Sequence, residues 1–283
     1  MNIDPNQLKL LKDLIPEETL KNLLNPSTVV VGKGLAGILY YVFQKPLEFG
    51  IVEKKHLDSL SKMTSNDLSK IPSQNRDEKG MGLAFKTIEE SKYSLGDEEL
   101  RKWFSQLIAS SVDDRKNNSL TPYYSTVLSN LNSDAANFLL DLVKFGNEMS
   151  LFPFCYIQKK VENGFIELQN NIINFNWTDE NQPLIMTIDP NTIEVLKSFN
   201  IISVDYQSSL TSKKAKDAYK DIETSDIFRN QALLNAIMYH KCNSNYTCEE
   251  YKEIPFHEEV QLKQGLLKIT SFGESFIKVS MPD

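Results

Sequence analysis

The sequence is short of positive charge, and of arginine in particular. Its 31 lysines and arginines face 38 aspartates and glutamates, which gives a formal net charge of −7 at pH 7. Only four of these cations are arginines, although the guanidinium group is the side chain best suited to bidentate contacts with phosphates and guanine bases. Nucleic-acid binding depends on neutralising many phosphates. The composition therefore disfavours a nucleic-acid partner.

Cysteine and the usual targeting segments are scarce as well. Three cysteines in 283 residues are too few for a disulfide framework. The chain begins without the basic start and apolar core of a signal peptide. The apolar, uncharged stretch at residues 34–44 would span only about 16 Å as a helix, roughly half of a bilayer core. We therefore expect a protein of the reducing cytoplasm that has no transmembrane helix.

No recognisable catalytic or metal-binding motif is present. A P-loop and a kinase motif set are missing, and the nearest approach to a serine nucleophile elbow, at residues 273–276, lacks the closing glycine. One metal-like cluster has a spacing that fits no short zinc knuckle. Its members are His240, Cys242, Cys248 and His257. We therefore expect no enzymatic activity, no cofactor and no bound metal.

One stretch imitates a dinucleotide-binding motif. An apolar run at residues 29–31 precedes Gly-x-Gly-x-x-Gly at residues 32–37, and an acidic residue, Glu53, follows about twenty positions later, as in such motifs. However, Pro46 would end the intervening helix early, and no further alternation of strands and helices follows to build a parallel sheet. We therefore reject a nucleotide site and expect a helix whose glycines allow close packing.

The segment from residue 97 to residue 143 predicts three consecutive helices. The first has an apolar stripe at helical spacing. The stripe consists of Leu100, Trp103, Phe104, Leu107 and Ile108. Asp97 precedes it as an N-cap, and Thr121 with Pro122 opens the second helix. Asn132 begins the junction to the third helix, whose Leu139 should be deeply buried together with Trp103, Phe104 and Leu107.

Several local motifs of this segment occur together in one known family. They are the helix end at residues 107–110, the charged break at residues 113–116, the Pro122-x-Tyr124 helix start and the junction at residues 131–135. With its flanks, from residue 20 to residue 145 and over the last fifteen residues, the chain resembles the Abi-alpha (abortive infection alpha) family of bacterial phage-resistance proteins. The family often has a histidine before the proline, where this chain has Thr121. The resemblance implies an anti-phage protein of the bacterial cytoplasm.

The uncharged helix at residues 34–44 is the candidate interaction element. Gly34 and Gly37 are three positions apart, so one side of the helix can approach another backbone closely. The opposite side carries Leu39, Tyr40 and Phe43, and tyrosine suits an interface core or a membrane boundary. We expect this helix to be buried within the chain at rest. Part of its surface would then be transferred to another copy, or to a membrane, when the protein acts.

After Phe145 the pattern becomes strand-like. Asn163-Gly164 between two alternating runs is a strong hairpin signal, typical of a type I′ turn with positive φ at both positions. A short helix and two strands should follow, and a strand-to-helix turn closes the chain. These elements are expected at residues 192–199, 201–206, 266–269 and 269–276.

The elements together predict a mainly α fold with a C-terminal α+β part. A helical, Abi-alpha-like domain would occupy residues 1–150. Residues 151–283 would form a winged-helix-like α+β domain containing the β-hairpin, with residues 205–264 as an elaborated wing.

The leading functional hypothesis is non-enzymatic phage defence through protein–protein contacts or assembly. The resemblance and the lack of a catalytic motif motivate it. Expected partners are another protein or a second copy of the chain, with a phage component as a further candidate. The alternatives are a winged-helix regulator that binds nucleic acid, a membrane-acting effector that uses the helix at residues 34–44, and an enzyme without a recognisable motif.

Overall fold

The computed structural model describes residues 29–146, 150–175, 183–243 and 260–282. The chain divides into two compact units. Unit 1 comprises the residues up to Asn137 together with those from Phe272 onward, and unit 2 comprises residues 138–271. The assignment of domains to residues 1–150 and 151–283 stays a prediction.

Helices make up most of the described residues. Their bounds are α1 (Val29–Glu48), α2 (Lys54–Ser69), α3 (Met81–Glu90), α4 (Glu98–Ser111), α5 (Tyr123–Ser129), α6 (Ser133–Lys144), α7 (Pro190–Ser198), α8 (Lys213–Thr224), α9 (Asp226–Asn243) and α10 (Ser271–Ser280). Helix α6 passes from unit 1 into unit 2, and α10 returns the chain to unit 1.

The three predicted helices between residues 97 and 143 are confirmed as α4, α5 and α6. The Asp97 side chain accepts a hydrogen bond of 3.1 Å from the backbone N–H of Leu100, so it caps α4 as expected. Trp103 and Leu107 lie in α4 and are fully buried. The remaining predicted core residues, Phe104 and Leu139, are fully buried as well.

Residues 29–48 form helix α1, and Ile51 and Val52 lie in the turn that follows it. The rejection of a nucleotide-binding strand–helix–strand unit here is therefore confirmed. Pro46 was expected to end the helix early, but it lies inside the last turn of α1, which continues to Glu48, so that expectation was wrong. A Cβ atom on Gly34 would come within 2.5 Å of Cε of Met81 in α3, so this glycine does permit close helix packing.

Aromatic side chains from distant parts of the chain form the core of unit 1. Trp103 stacks on Phe276 of α10, with ring centroids 5.8 Å apart. Tyr124 of α5 contacts Phe276 at 5.6 Å and Phe272 at 5.4 Å. Aromatic pairs at these separations contribute beyond the burial of their area. The C-terminal helix is thereby an integral part of unit 1.

Unit 2 is built on a five-stranded antiparallel sheet with the strand order β3-β2-β1-β5-β4. The strands are β1 (Leu151–Val161), β2 (Gly164–Asn174), β3 (Ile185–Thr187), β4 (Ile202–Asp205) and β5 (Val260–Ile269). The ring of Phe175 contacts those of Phe138, Phe145 and Phe152, with centroid distances of 5.7–6.1 Å. In α8, Tyr219 donates a hydrogen bond of 2.7 Å to the carbonyl of Gly265 in β5.

The hairpin predicted at Asn163-Gly164 is present, but its turn is different. Val161 pairs with Gly164, so the two loop residues are Glu162 and Asn163. Asn163 is not among the non-glycine residues with positive φ, which are Ser150, Asn171 and Asn200. A type I′ turn was therefore the wrong expectation. Gly164 instead begins β2 with a φ of +144°, a conformation that glycine adopts readily.

The predicted fold class, mainly α with a C-terminal α+β part, is confirmed. The finer winged-helix arrangement is not confirmed. Within the described residues, the expected wing at 205–264 contains α8 and α9 before β5 begins. The lysine-rich residues 213–220 belong to α8, with Ser212 as its side-chain N-cap, because Ala215, Ala218, Tyr219 and Ile222 supply a buried stripe.

Candidate functional site

The five residues predicted as an interaction site occupy α1 in two different environments. Leu39 and Phe43 are buried, at 3% and 0% exposure. Gly34, Gly37 and Tyr40 are half-buried. Their role in an interaction stays a prediction.

Two large apolar side chains are exposed at the end of α1. Phe49 is 75% exposed and Ile51 is 56% exposed. Between them, Gly50 has a φ of +67°, the left-handed conformation that commonly ends helices. Val52, which follows Ile51, is buried and anchors the turn to unit 1.

This turn is fixed by its backbone. The N–H of Gly50 donates to the carbonyl of Leu47 at 3.1 Å, and the N–H of Ile51 donates to that of Pro46 at 2.9 Å. These two bonds define a Schellman motif, which satisfies the last carbonyls of a helix. A further bond of 3.2 Å joins the N–H of Val52 to the carbonyl of Pro46. The exposure of Phe49 and Ile51 is therefore a property of an ordered helix end.

Three more exposed residues extend this patch along α1. Tyr41, Lys45 and Glu48 are exposed and recur at helical spacing. Tyr41 is 74% exposed, although its ring lies 6.1 Å from that of Phe85. We name Tyr41, Lys45, Glu48, Phe49 and Ile51 the α1 surface. It combines aromatic and aliphatic groups with one charge of each sign, and its aromatic residues are of the kind that is enriched in protein–protein interfaces.

The hypothesis of an interaction element in α1 thus missed the exposed residues. Helical periodicity alone gave no means of choosing between Tyr40 and Tyr41, because residues 34–44 are uncharged all round. The exposed Phe49 and Ile51 lie just beyond the apolar run. The sequence signal that could have found them is Gly50, a typical C-terminal helix stop.

A polar pocket of about 210 Å³ lies in unit 1 at the ends of α2 and α4. Its lining consists of Asp67, Lys70, Ile71, Gln106, Ala109, Ser110, Asp113, Arg115 and Lys116. The charged break recognised in the sequence at residues 113–116 thus forms one wall. Asp67 and Gln106 gave no sequence signal, because only the packing of α2 against α4 brings them to this break.

Hydrogen bonds join most of the charged groups of this pocket to one another. The Asp113 carboxylate, which is buried, accepts two bonds from the Arg115 guanidinium at 2.7 and 2.6 Å. Asp67 accepts bonds from Ser105 Oγ at 2.5 Å and from Lys70 Nζ at 3.0 Å. Lys116 Nζ donates to Ser110 Oγ at 2.9 Å.

The electrostatics of Asp113 follow from these contacts. Burial raises the pKa of its carboxyl group, but the hydrogen bonds from Arg115 and the positive charges of Arg115 and Lys116 outweigh burial, so the pKa lies below its usual value. Asp113 therefore stays ionised at neutral pH as half of a structural ion pair. The pocket has the polarity to hold a small polar ligand, while its two carboxylates already have partners.

Metal and membrane features were also sought. Within residues 29–146, 150–175, 183–243 and 260–282, no group of three or more His, Cys, Asp or Glu could hold a metal ion. Cys248 and His257 lie outside the described residues, and the side chains of His240 and Cys242 are not described. None of the described helices is both long enough and apolar enough to cross a membrane.

Comparison with known proteins identifies the family. The family model for abortive infection alpha matches residues 52–280. The match includes the polar pocket and the sheet of unit 2, and it begins one residue after the α1 surface. A search of curated proteins found no match, and a search of solved structures found none either. Since the match covers most of the chain, this protein belongs to the abortive infection alpha family, which is associated with defence against phage.

Proposed function

We propose that this chain is a bacterial phage-defence protein that acts through contacts with another protein, made by the α1 surface, and not by catalysis. The observation that carries the proposal is the ordered exposure of Phe49 and Ile51 at the end of α1. The partner is a protein of the host or of the phage.

The energetics favour a contact at this position. Fully burying a side chain such as Phe or Ile stabilises by about 1.5–3 kcal/mol. Phe49 and Ile51 are already partly buried, so covering both would contribute about 2–4 kcal/mol. The ordered turn adds to this, because a surface that is already fixed loses little conformational entropy on binding.

The charges of the α1 surface support a protein partner over a lipid surface. Lys45 makes no ion pair with any described residue, and Glu48 has only Gln44 as a hydrogen-bond partner there, at 3.5 Å. A protein can supply a charge of the opposite sign to each of them. An anionic bilayer would attract Lys45 but repel Glu48.

Residues 1–51 lie outside the part matched by the family model, which begins at residue 52. A non-catalytic mode of action is supported by the polar pocket. Its carboxylates, Asp67 and Asp113, are engaged by Lys70 and Arg115, which suits a structural role.

The first test is plaque formation on bacteria that carry the gene. We expect the double variant Phe49→Ser with Ile51→Ser to lose protection, with plating efficiency returning to that of cells without the gene. Tyr93→Ser is the matched control, because Tyr93 is also in unit 1 and is 85% exposed. It should protect like the parent. Equal protection by the double variant, at equal protein level, would refute the proposal.

A second test identifies the class of partner. A photo-crosslinking amino acid at the exposed position of Tyr41 should attach the chain to a protein during infection. Attachment to lipid alone would contradict the proposal and favour the membrane alternative.

A third test addresses catalysis. Asp67→Asn keeps a hydrogen-bond acceptor for Ser105 but removes the carboxylate charge, so we expect protection to be retained. Loss of protection by a folded Asp67→Asn chain would argue for chemistry in the polar pocket and against a purely contact-based action.

A further inference from the structure

Part of strand β2 has an open edge. β2 pairs with β1 along its length, but β3 covers it only at Ile172–Asn174. Near residue 169, Gln231 of α9 donates a hydrogen bond of 3.3 Å to the side chain of Gln169. Residues 164–168, which we name the β2 edge, have no strand beside them on this side within the described part of the chain.

The hairpin register determines which backbone groups face outward. Val161 and Gly164 flank the two-residue loop and form a hydrogen-bonded pair, and such pairs alternate with non-hydrogen-bonded pairs along an antiparallel ladder. Phe165, opposite Lys160, and Glu167, opposite Gln158, therefore occupy non-hydrogen-bonded positions. Each directs its N–H and C=O to the open side.

The side chains of the β2 edge do not protect it. Phe165 and Ile166 are each 54% exposed, and they point to opposite faces of the hairpin because side chains alternate along a strand. Proteins usually protect exposed edges with proline, lysine or a covering segment. The β2 edge contains neither proline nor lysine, and Glu167 is its only charged residue. Such an edge is a template for strand addition.

We propose that the β2 edge pairs with the β2 edge of a second copy of this chain, in antiparallel orientation about a two-fold axis. Phe165 would lie opposite the partner's Glu167, and Ile166 opposite the partner's Ile166. Both outward-facing residues then form hydrogen-bonded pairs with their counterparts, and the two sheets become one. This inference does not rest on the α1 surface and adds a dimer to the proposed function.

The side chains make this arrangement self-complementary. On one face, Lys160 lies beside Phe165 in the same copy, and the partner's Glu167 would lie on the other side of that ring. Lys160, Phe165 and the partner's Glu167 would thus lie side by side across three strands, with one charge of each sign flanking the ring. On the opposite face, two isoleucines meet, and apolar β-branched pairs stabilise a sheet. A two-fold contact uses the same surface on both copies, which this segment supplies.

Neighbouring registers are less favourable. Moving the partner by two residues in one direction would place Glu167 directly opposite the partner's Glu167, and like charges in that position are destabilising. The same shift in the other direction would place the two Phe165 rings opposite each other. It would also set Ile166 against the partner's Gly164, lose the isoleucine pair and leave only residues 164–166 of the β2 edge paired. The proposed register pairs all of residues 164–168 and avoids the contact between glutamates.

The register can be tested by crosslinking the full chain. Facing residues of a non-hydrogen-bonded pair have Cα atoms about 4.5 Å apart, within the range of about 4.4–6.8 Å that a disulfide spans. Ile166→Cys should therefore give a covalent dimer on mild oxidation. Phe165→Cys is the control, since the two copies of residue 165 would be diagonal neighbours. The parent chain, oxidised in parallel, accounts for the native cysteines.

Light scattering tests the assembly itself. The parent should approach twice its 32.4 kDa chain mass as concentration rises. Phe165→Pro removes an outward N–H that the β1–β2 ladder does not use, so this variant should remain monomeric with an unchanged circular dichroism spectrum. If it fails to fold, the Ile166→Cys result decides. A parent that is monomeric at all concentrations, or a crosslink through Phe165→Cys and not Ile166→Cys, would overturn the proposal.

Discussion

The stack of Trp103 on Phe276 is the contact through which the fold of unit 1 can be tested most sharply. Both side chains are fully buried, and their ring centroids are 5.8 Å apart. The two residues are far apart in the sequence, so their contact exists only if α10 packs against α4. Replacing each by alanine, singly and together, gives a double-mutant cycle that measures this contact.

The magnitudes follow from the burial of the two rings. Truncating a buried Trp or Phe to Ala usually costs about 3–5 kcal/mol, so each single variant should be destabilised by that amount. Each kcal/mol should lower the melting temperature by about 2–4 °C in a chain of this size class, which gives a drop of roughly 6–20 °C. The coupling between the two substitutions should be about 0.5–1.5 kcal/mol, as for other aromatic pairs.

Urea denaturation followed by far-UV circular dichroism supplies the free energies of unfolding. Tyr93→Ala serves as the control, because Tyr93 is 85% exposed and surface substitutions usually change stability by no more than about 0.5 kcal/mol. Core truncations cost about 3–5 kcal/mol. A loss of less than about 1 kcal/mol in Trp103→Ala would therefore refute the assignment of this stripe to the core. Strictly additive effects in the double variant would refute the stack itself.

Three further predictions concern single residues. Gly50→Ala should destabilise the chain by about 1–2 kcal/mol, the usual cost of a left-handed non-glycine residue, because the φ of Gly50 is +67°. A new Cβ would meet no atom within 4 Å, so no steric clash adds to this cost. An unchanged urea midpoint would contradict the prediction. Asp113→Asn should lower the free energy of unfolding at neutral pH. Its difference from the parent should vanish as the pH falls below the ordinary aspartate pKa of about 3.9 and through the lowered pKa of Asp113, because protonation then removes the ion pair with Arg115 in the parent too. A difference that urea titrations show to be independent of pH would contradict the pairing. Cys155 is fully buried, and burial raises the pKa of its thiol to about 12. Peptide mapping after thiol alkylation at pH 8 should therefore find it unmodified in the native chain and modified in urea. Rapid labelling of the native chain would contradict its burial.

The candidate site could be predicted from the sequence only in part. The sequence directed attention to α1, yet three of the residues it selected, Leu39, Phe43 and Gly34, lie in or against the packed interior. The exposed Tyr41 and Phe49 were not selected. A helix without charges has no polar face to mark its solvent side, so periodicity could not orient it. The charged break at residues 113–116 was recognised, whereas its partners Asp67 and Gln106 are distant in the chain.

The sequence by itself determined the local elements. The cap at Asp97, the stripe through Trp103 and the existence of a hairpin near residue 163 depend on residues within a few positions of one another, so short-range geometry is enough to predict them. The exact loop residues and turn type of the hairpin were not predicted. The sequence also predicted a helix at residues 34–44, because the lack of later βαβ units excluded a nucleotide site, whereas the full extent of α1 from residue 29 to residue 48 was not predicted. These signals sufficed for the fold class and for the resemblance to the family.

Only the tertiary structure decided which faces remain exposed and which distant segments meet. The return of α10 to stack Phe276 on Trp103 and the assembly of the polar pocket from α2, α4 and residues 113–116 both depend on long-range packing. The open edge of β2 depends on it too, because β3 is short and covers only Ile172–Asn174. Local propensities carry no information about such contacts, since the free energy that selects them comes from burying side chains of widely separated segments against each other.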